Sequence, residues 1–154
     1  MPNTPAVIGK GITAIIANQS CKISDIELCD CLLSTLGKIV RLEKEEQMNV
    51  VTGLSGSGPA YLFYLIEAMA SAGEDLGLSS ELAMHLAKET VAGASALAIQ
   101  NTEQPEQLRK NVTSPNGTTE AGLEVLMDKE KGLAPLIRET IVAASRRSEE
   151  LSNG

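Results

Sequence analysis

The residues best suited to chemistry lie in one stretch, Asn111–Gly122. Its centre, Ser114–Gly117, reads Ser-Pro-Asn-Gly and is typical of a tight turn, because proline fixes φ and Asn-Gly tolerates positive φ. Thr118 and Thr119 favour the N-cap of a helix, and Glu120 suits its first turn. Such a hydroxyl-rich turn offers free backbone N–H groups and a positive dipole end to an anion. The stretch therefore predicts a site for a small carboxylate. The alternative is a well-capped loop that binds nothing.

Other reactive side chains do not form a recognisable site. The chain has three cysteines, Cys21, Cys29 and Cys31, which is an odd number and lacks CxxC spacing. His85 is the single histidine. The sequence therefore predicts free or structural thiols in a reducing cytoplasm and no metal site. Ser55–Pro59 is glycine-rich, but it has no lysine and lacks the spacing of a phosphate loop.

Composition and charge narrow the function further. The 154 residues are 43% hydrophobic, which indicates a folded chain that can form its own core. The net charge of −7 argues against nucleic acid, because no basic stripe is present to neutralise phosphates. The sequence contains no run of about 18 apolar residues, so no membrane span is predicted. No secretory signal is recognisable.

Residues 1–43 read as strand, helix and strand. The β-branched run Ile12–Ala17 predicts the first strand. Ser24–Glu27 has the pattern of a capping box that opens a helix, and Gly37 is expected to stop it. Lys38–Leu42 alternates as a short second strand. This segment is too small for a complete α/β domain.

From residue 44 onward the pattern is helical. Gly73 and Gly77 are expected to bracket a loop. Helices are predicted from Ala60 to about Ala72, from Ser79 to about Gln100, from Pro105 over one short stretch, and from Leu133 to Leu151. The first of these is apolar almost all round and contains the three aromatic residues of the chain, Tyr61, Phe63 and Tyr64. Such a helix is buried on most sides, which in a chain of this length predicts contact with a second subunit.

Several motifs resemble those of one family. The stretch from Pro105 to Leu123, with its Val-Thr-Ser-Pro-Asn-Gly-Thr-Thr core, resembles the signature of pyrroline-5-carboxylate reductases. Thr52–Tyr61, Met1–Pro5 and Arg146–Leu151 are similar to three further blocks of that family, in the same order along the chain. One departure is Asn116, where many relatives have glycine; asparagine also accepts positive φ.

The resemblance implies an architecture. The expected fold is mainly α: a helical dimerisation domain like the C-terminal domain of 6-phosphogluconate dehydrogenase, preceded by a remnant of a nucleotide-binding fold. The expected boundary places the remnant in residues 1–43 and the dimerisation and substrate-binding domain in 44–154. Family members have an N-terminal Rossmann domain of roughly 100 residues. The chain is therefore expected to be the C-terminal part of such an enzyme, as a truncation, a fragment or half of a split gene.

The resemblance also implies a reaction, the reduction of 1-pyrroline-5-carboxylate to L-proline with NADPH or NADH. A protonated imine is already a good electrophile, so the protein has mainly to orient the ring and exclude water. By similarity, the Ser114 hydroxyl and the N–H groups of Gly117 and Thr118 would hold the carboxylate. Thr119 Oγ1 would meet the ring nitrogen as the catalytic group, and Val112 would pack near the ring.

The cofactor and assembly follow from the same resemblance. Asn3 and Thr4 would lie near the nicotinamide, and Ser55–Pro59 would form a wall of the cleft or a dimer contact. A homodimer is expected, and the resemblance implies that such dimers can assemble into a larger ring.

Two other functions stay open. One is a catalytically inactive, truncated dimerisation module of the same enzyme. The chain alone is expected to bind NADPH poorly and to show little turnover, because no pyrophosphate-binding turn is recognisable in it. The other is a hydroxyacid or phosphogluconate type of dehydrogenase, for which Lys88 would be the candidate catalytic lysine.

Overall fold

Helices account for most of residues 1–152, the part of the chain that the structure, a computed structural model, describes. Strands β1 (Gly11–Ile15) and β2 (Gly37–Arg41) flank helix α1 (Ile23–Leu33). The α-helices that follow in the described residues are α2 (Gln47–Val51), α3 (Gly58–Asp75), α4 (Ser80–Gln100), α5 (Pro105–Asn111), α6 (Thr118–Leu126) and α7 (Leu133–Ser152). The predicted mainly α fold with an N-terminal strand-helix-strand segment is confirmed.

The chain divides into two compact units. The first comprises Met1–Tyr61 together with the chain from Ile137 onward, and the second comprises Leu62–Leu136. The predicted domain boundary after residue 43 is a different division and stays a prediction.

The sheet of the first unit depends on a close approach of two glycines. β1 and β2 are parallel, with Gly11 opposite Gly37 and Ile15 opposite Arg41. Gly37 has a φ of 135°, and a Cβ added to it would overlap the backbone of Gly11. Gly37 also ends the helical segment, after a short 3-10 helix over Ser34–Leu36, as predicted. Its lack of a side chain therefore both ends the helix and lets the strands pair.

The start of α1 differs from the predicted capping box. The helix begins at Ile23 with Lys22 as its N-cap, and Asp25 Oδ2 accepts a 2.9 Å hydrogen bond from the Lys22 N–H. The prediction that Ser24 and Glu27 form the box is wrong. The reciprocal half of such a box depends on a carboxylate three residues after the cap, and Asp25 meets that requirement two residues earlier.

The core of the second unit consists of small side chains. Ala70, Ala83 and Ala87 are buried where α3 and α4 meet, with Ile66 and Met84 packed beside them. Alanine allows two helix backbones to approach closely, but it buries little apolar area. The larger apolar side chains of these helices consequently contribute little to the core of this unit.

Gly73 lies inside α3, so the prediction that it borders a loop is wrong. A Cβ there would lie 3.2 Å from Ala83 Cβ, which shows that this glycine faces α4 at close range. The helix ends at Asp75, and Gly77, two residues further on, has a φ of 102°. The N–H groups of Gly77 and Leu78 donate to the carbonyls of Glu74 and Gly73, at 2.9 and 3.0 Å. This is a Schellman motif.

Large apolar side chains of α3 and α4 are exposed. Phe63 is 58% and Tyr64 72% exposed, and Leu82 and Leu86 are each nearly half exposed. The expectation that α3 is buried on most sides is therefore not met within this chain alone. None of the helices in residues 1–152 is both long and apolar enough to cross a bilayer.

Candidate active site

The loop that precedes α6 is fixed first by the end of α5. Thr113 Oγ1 donates a 2.6 Å hydrogen bond to the Arg109 carbonyl, and the Thr113 N–H donates to the Lys110 carbonyl at 3.1 Å. These bonds engage carbonyls of the last helical turn, where helix geometry leaves C=O groups without an intrahelical partner. Thr113 therefore sets the direction in which the chain leaves α5.

Ser114–Gly117 forms the predicted turn. The Gly117 N–H donates to the Ser114 carbonyl at 3.0 Å, and Asn116 has a φ of 58°. Proline at the second position and a positive φ at the third are the features of a type II turn. The prediction that Asn116 adopts positive φ is confirmed.

Helix α6 begins one residue earlier than its threonines suggested. Gly117 is the N-cap, with φ −89° and ψ 171°, and no side chain makes a capping bond. Thr118 and Thr119 are the first two helical residues, so the prediction that they are N-caps is wrong. Gly117 takes this place because a Cβ there would overlap Ser114 Oγ and lie 3.0 Å from the Ser114 carbonyl oxygen.

This arrangement changes which N–H groups can hold an anion. The expectation of a free Gly117 N–H is wrong, because that group closes the turn. The N–H groups of Thr118 and Thr119 have no hydrogen-bond acceptor within residues 1–152. Both groups lie in the first turn of α6, where the helix dipole favours negative charge.

Two unengaged hydroxyls accompany these amides. Ser114 and Thr119 are both exposed, and neither hydroxyl has a hydrogen-bond partner in the described part of the chain. Val112, the residue that caps the end of α5, is 65% exposed and supplies an apolar surface on the same loop. The loop thus combines unengaged amides and hydroxyls with one apolar side chain.

The remaining predicted residues belong to the first unit. Asn3 Oδ1 accepts a 3.0 Å hydrogen bond from the Ile12 N–H, and its Nδ2 lies 3.4 Å from Ser55 Oγ. Thr4 is exposed at the start of a 3-10 helix. Asn3 therefore links the start of β1 to the segment around Ser55, a contact that sequence separation concealed.

Ser55 itself lies in a widened helical turn. Thr52–Gly56 forms a π-helix between α2 and α3, and the Tyr61 hydroxyl donates to the Gly53 carbonyl at 3.0 Å. Turns of this kind occur frequently at functional sites. Gly53 is required there because a Cβ would overlap Ser145 on α7.

A glycine pattern in the first unit resembles part of a pyrophosphate-binding motif. Gly9, Gly11 and Ala14 match the pattern G-x-G-x-x-A, but Gly11 and Ala14 lie within β1, so the pattern does not open a helix. It therefore lacks the helix N-terminus that binds a pyrophosphate. The Thr4 hydroxyl and the linked Asn3–Ser55 pair are exposed or half-buried polar groups of the first unit, and the role expected for Asn3 and Thr4 near a nicotinamide stays a prediction.

The other candidates are exposed. His85 is exposed on α4, and Lys88 is exposed three residues further along the same helix. The three cysteines are free and exposed, the first of the two alternatives that the sequence left open.

Comparison with known proteins decides the family. A family model described as "Pyrroline-5-carboxylate reductase dimerisation" matches residues 45–151. The chain belongs to the pyrroline-5-carboxylate reductase family. The resemblance found in the sequence is thereby confirmed.

Relatives agree with this membership. Pyrroline-5-carboxylate reductases from Pseudomonas aeruginosa and Synechocystis are 43% and 44% identical to this chain, over 99% and 98% of it. Each match covers 55% of the relative, so the chain spans about half the length of the curated relatives it matches.

Solved structures of the family share the fold. The enzyme from Coxiella burnetii superposes with a TM-score of 0.92 at 38% identity, covering 98% of this chain and 55% of that one. The Plasmodium falciparum enzyme, whose crystal structure has NADP bound, gives 0.87 at 31% identity, with 97% and 60% coverage.

Proposed function

We propose that this chain forms the substrate-binding and dimerisation part of a pyrroline-5-carboxylate reductase. The reaction is the reduction of 1-pyrroline-5-carboxylate to L-proline with NADPH or NADH. The observation that carries the proposal is the pair of unengaged N–H groups on Thr118 and Thr119 beside the unengaged Ser114 hydroxyl. Family membership supplies the substrate class that these groups suit.

The substrate carboxylate binds at the N-terminus of α6. The Thr118 and Thr119 N–H groups and Ser114 Oγ donate to its oxygens. Charge-assisted bonds of this kind are stronger than neutral ones. Gly117 serves as the side-chain-free floor of the site, because its own N–H is committed to the turn.

Thr119 Oγ1 meets the ring nitrogen and fixes the orientation of the imine, while Val112 packs against the ring. Thr119 Oγ1 accepts a hydrogen bond from the N–H of the protonated imine, which holds the ring in place and favours the protonated form that accepts the hydride. The nicotinamide cofactor supplies the hydride when it is bound. Asn3 and Thr4 contact its nicotinamide end, and residues 1–43 belong to the nucleotide-binding side of the enzyme.

Dimerisation explains the exposed apolar surface. Phe63, Tyr64, Leu82 and Leu86 are exposed on helices whose shared core is three alanines. An obligate homodimer buries more than about 2,000 Å² of mainly apolar surface. Contact between copies of α3 and α4 supplies such a surface, within a dimer or a ring of dimers. The exposed free thiols fit a reducing cytoplasm.

Reductase kinetics test this function. The full-length reductase, in which the family's nucleotide-binding domain accompanies this chain, is expected to oxidise NADPH or NADH only when 1-pyrroline-5-carboxylate is present, with L-proline as product. This chain alone is expected to show little turnover. Ser114→Ala and Thr119→Ala are each expected to lower kcat/KM about 10- to 100-fold, because each removes a hydrogen bond to a charged group, worth about 1.5–3 kcal/mol.

Ser24→Ala, on the exposed side of α1, is the matched control and should leave kcat/KM unchanged. Unaltered kinetics in both site variants would remove the loop from the mechanism. A stable dimer without any turnover would favour the second candidate, a non-catalytic dimerisation module.

A further inference from the structure

We propose that Glu120 is the positioning residue of the carboxylate site, acting as a clasp across the turn before α6. The inference rests on the proposed function, because it concerns how the same loop is held ready for substrate. Glu120 Oε2 accepts a 2.6 Å hydrogen bond from the Asn116 N–H. This bond joins the first turn of α6 to the most constrained residue of the loop.

Asn116 needs such a clasp. With a φ of 58°, it is the sole non-glycine residue with positive φ in residues 1–152. A side chain in this region costs conformational energy that glycine avoids, although asparagine tolerates it better than most residues. A short hydrogen bond to a carboxylate is among the stronger ones available to a backbone N–H, so it offsets that cost.

The clasp also fixes the geometry of the anion site. Glu120 is the third helical residue after the Gly117 N-cap, and its side chain reaches back past that cap to Asn116. Asn116 is part of the turn Ser114–Gly117, and the Gly117–Ser114 hydrogen bond closes that turn. Holding Asn116 against the helix therefore keeps the Ser114 hydroxyl beside the N–H groups of Thr118 and Thr119.

The charge of Glu120 has a second effect. A carboxylate in the first turn of a helix competes with a bound anion for the positive end of the dipole. Glu120 lines a surface groove together with Arg109 and Glu124. The Arg109 guanidinium donates a 3.1 Å hydrogen bond to Met127 Sδ. Glutamine at position 120 would keep an acceptor for Asn116 while removing the charge. The clasp and the charge can therefore be separated by substitution.

Steady-state kinetics of the full reductase test the clasp. Glu120→Ala is expected to raise KM for 1-pyrroline-5-carboxylate about tenfold, which corresponds to the cost of an unsupported positive φ. The value of kcat should stay within about threefold, because Thr119 is held by the backbone bonds of α6 and not by the turn. Glu120→Gln should keep KM at or below the wild-type value.

Two variants show whether the effect passes through Asn116. Asn116→Gly should return KM of the Glu120→Ala enzyme to within about threefold of wild type, because glycine adopts positive φ without support. Glu124→Ala, on the same helix and groove, is the matched control and should not change KM. Amide hydrogen exchange at Asn116 should accelerate in Glu120→Ala and not in Glu120→Gln.

The outcomes separate the two proposals. An active wild-type enzyme whose KM is the same in Glu120→Ala would overturn the clasp and leave the proposed function standing. The same holds if Asn116→Gly fails to rescue Glu120→Ala. A wild-type protein that does not reduce the imine would overturn the proposed function, and the role of Glu120 in substrate binding with it.

Discussion

Replacing Gly117 by alanine is the sharpest test of the loop geometry. The backbone at this position has φ −89° and ψ 171°, which any residue adopts, so the substitution introduces no backbone strain. The added Cβ would instead overlap Ser114 Oγ and lie 3.0 Å from the Ser114 carbonyl oxygen. Ser114 must therefore move, and the Gly117–Ser114 hydrogen bond must lengthen or break.

The expected magnitude follows from what is lost. Breaking one turn hydrogen bond lowers the free energy of unfolding by about 1 kcal/mol. Because the turn is exposed, moving Ser114 relieves the overlap, and the stability loss stays near that value. The effect on kcat/KM should be larger, because the displaced Ser114 hydroxyl no longer donates a hydrogen bond to the substrate carboxylate. We expect kcat/KM of Gly117→Ala to fall about 10- to 100-fold.

Gly122→Ala is the matched control in the same helix. A Cβ at Gly122 meets no atom within 4 Å, so alanine there should stabilise α6 by about 0.5–1 kcal/mol. Thermal unfolding and reductase kinetics should be measured for both variants. The Tm should fall in Gly117→Ala and rise in Gly122→Ala. Wild-type kcat/KM in Gly117→Ala, or equal losses in the two variants, would refute the proposed crowding of Ser114 and Gly117.

Two further predictions concern assembly and pH. Phe63→Glu should weaken the dimer at least 100-fold by analytical ultracentrifugation, since burying the exposed part of this ring, about 100 Å², contributes roughly 2.5 kcal/mol per copy; an unchanged dimer would exclude this face. The N–H groups of Lys131 and Glu130 lower the pKa of Asp128 by hydrogen bonding to its carboxylate. Stability from this group is therefore complete above its unfolded pKa of about 4 and is lost as pH falls through the lower folded value. Asp128→Asn should flatten the acid-unfolding profile in that range, and an identical profile would contradict the assignment.

Much of the fold was predictable because the signals are local. Proline at 105 and the serines at 79 and 80 predicted the starts of α5 and α4, since caps and first turns depend on a few neighbouring residues. Alternation and β-branching predicted two short strands. Local signals failed where two residues compete for one role, as in the start of α1, and where a glycine serves packing and not a turn, as at Gly73.

The candidate site shows the same division. Residue types alone predicted a hydroxyl-lined turn before a helix, and the family motif predicted which of its residues would face the substrate. The sequence did not predict that the turn consumes the Gly117 N–H, that Glu120 reaches back to Asn116, or that Asn3 contacts Ser55.

What the sequence by itself determined was therefore the order of elements, the turn chemistry and the family. What only the tertiary structure decided was which donors are already used. Hydrogen-bond partners depend on distance and angle in space, and Asn3 and Ser55, separated by 52 positions, carry no mutual signal in a single sequence. Close approaches such as that of Gly37 to Gly11 likewise depend on the paired strands and not on either residue alone.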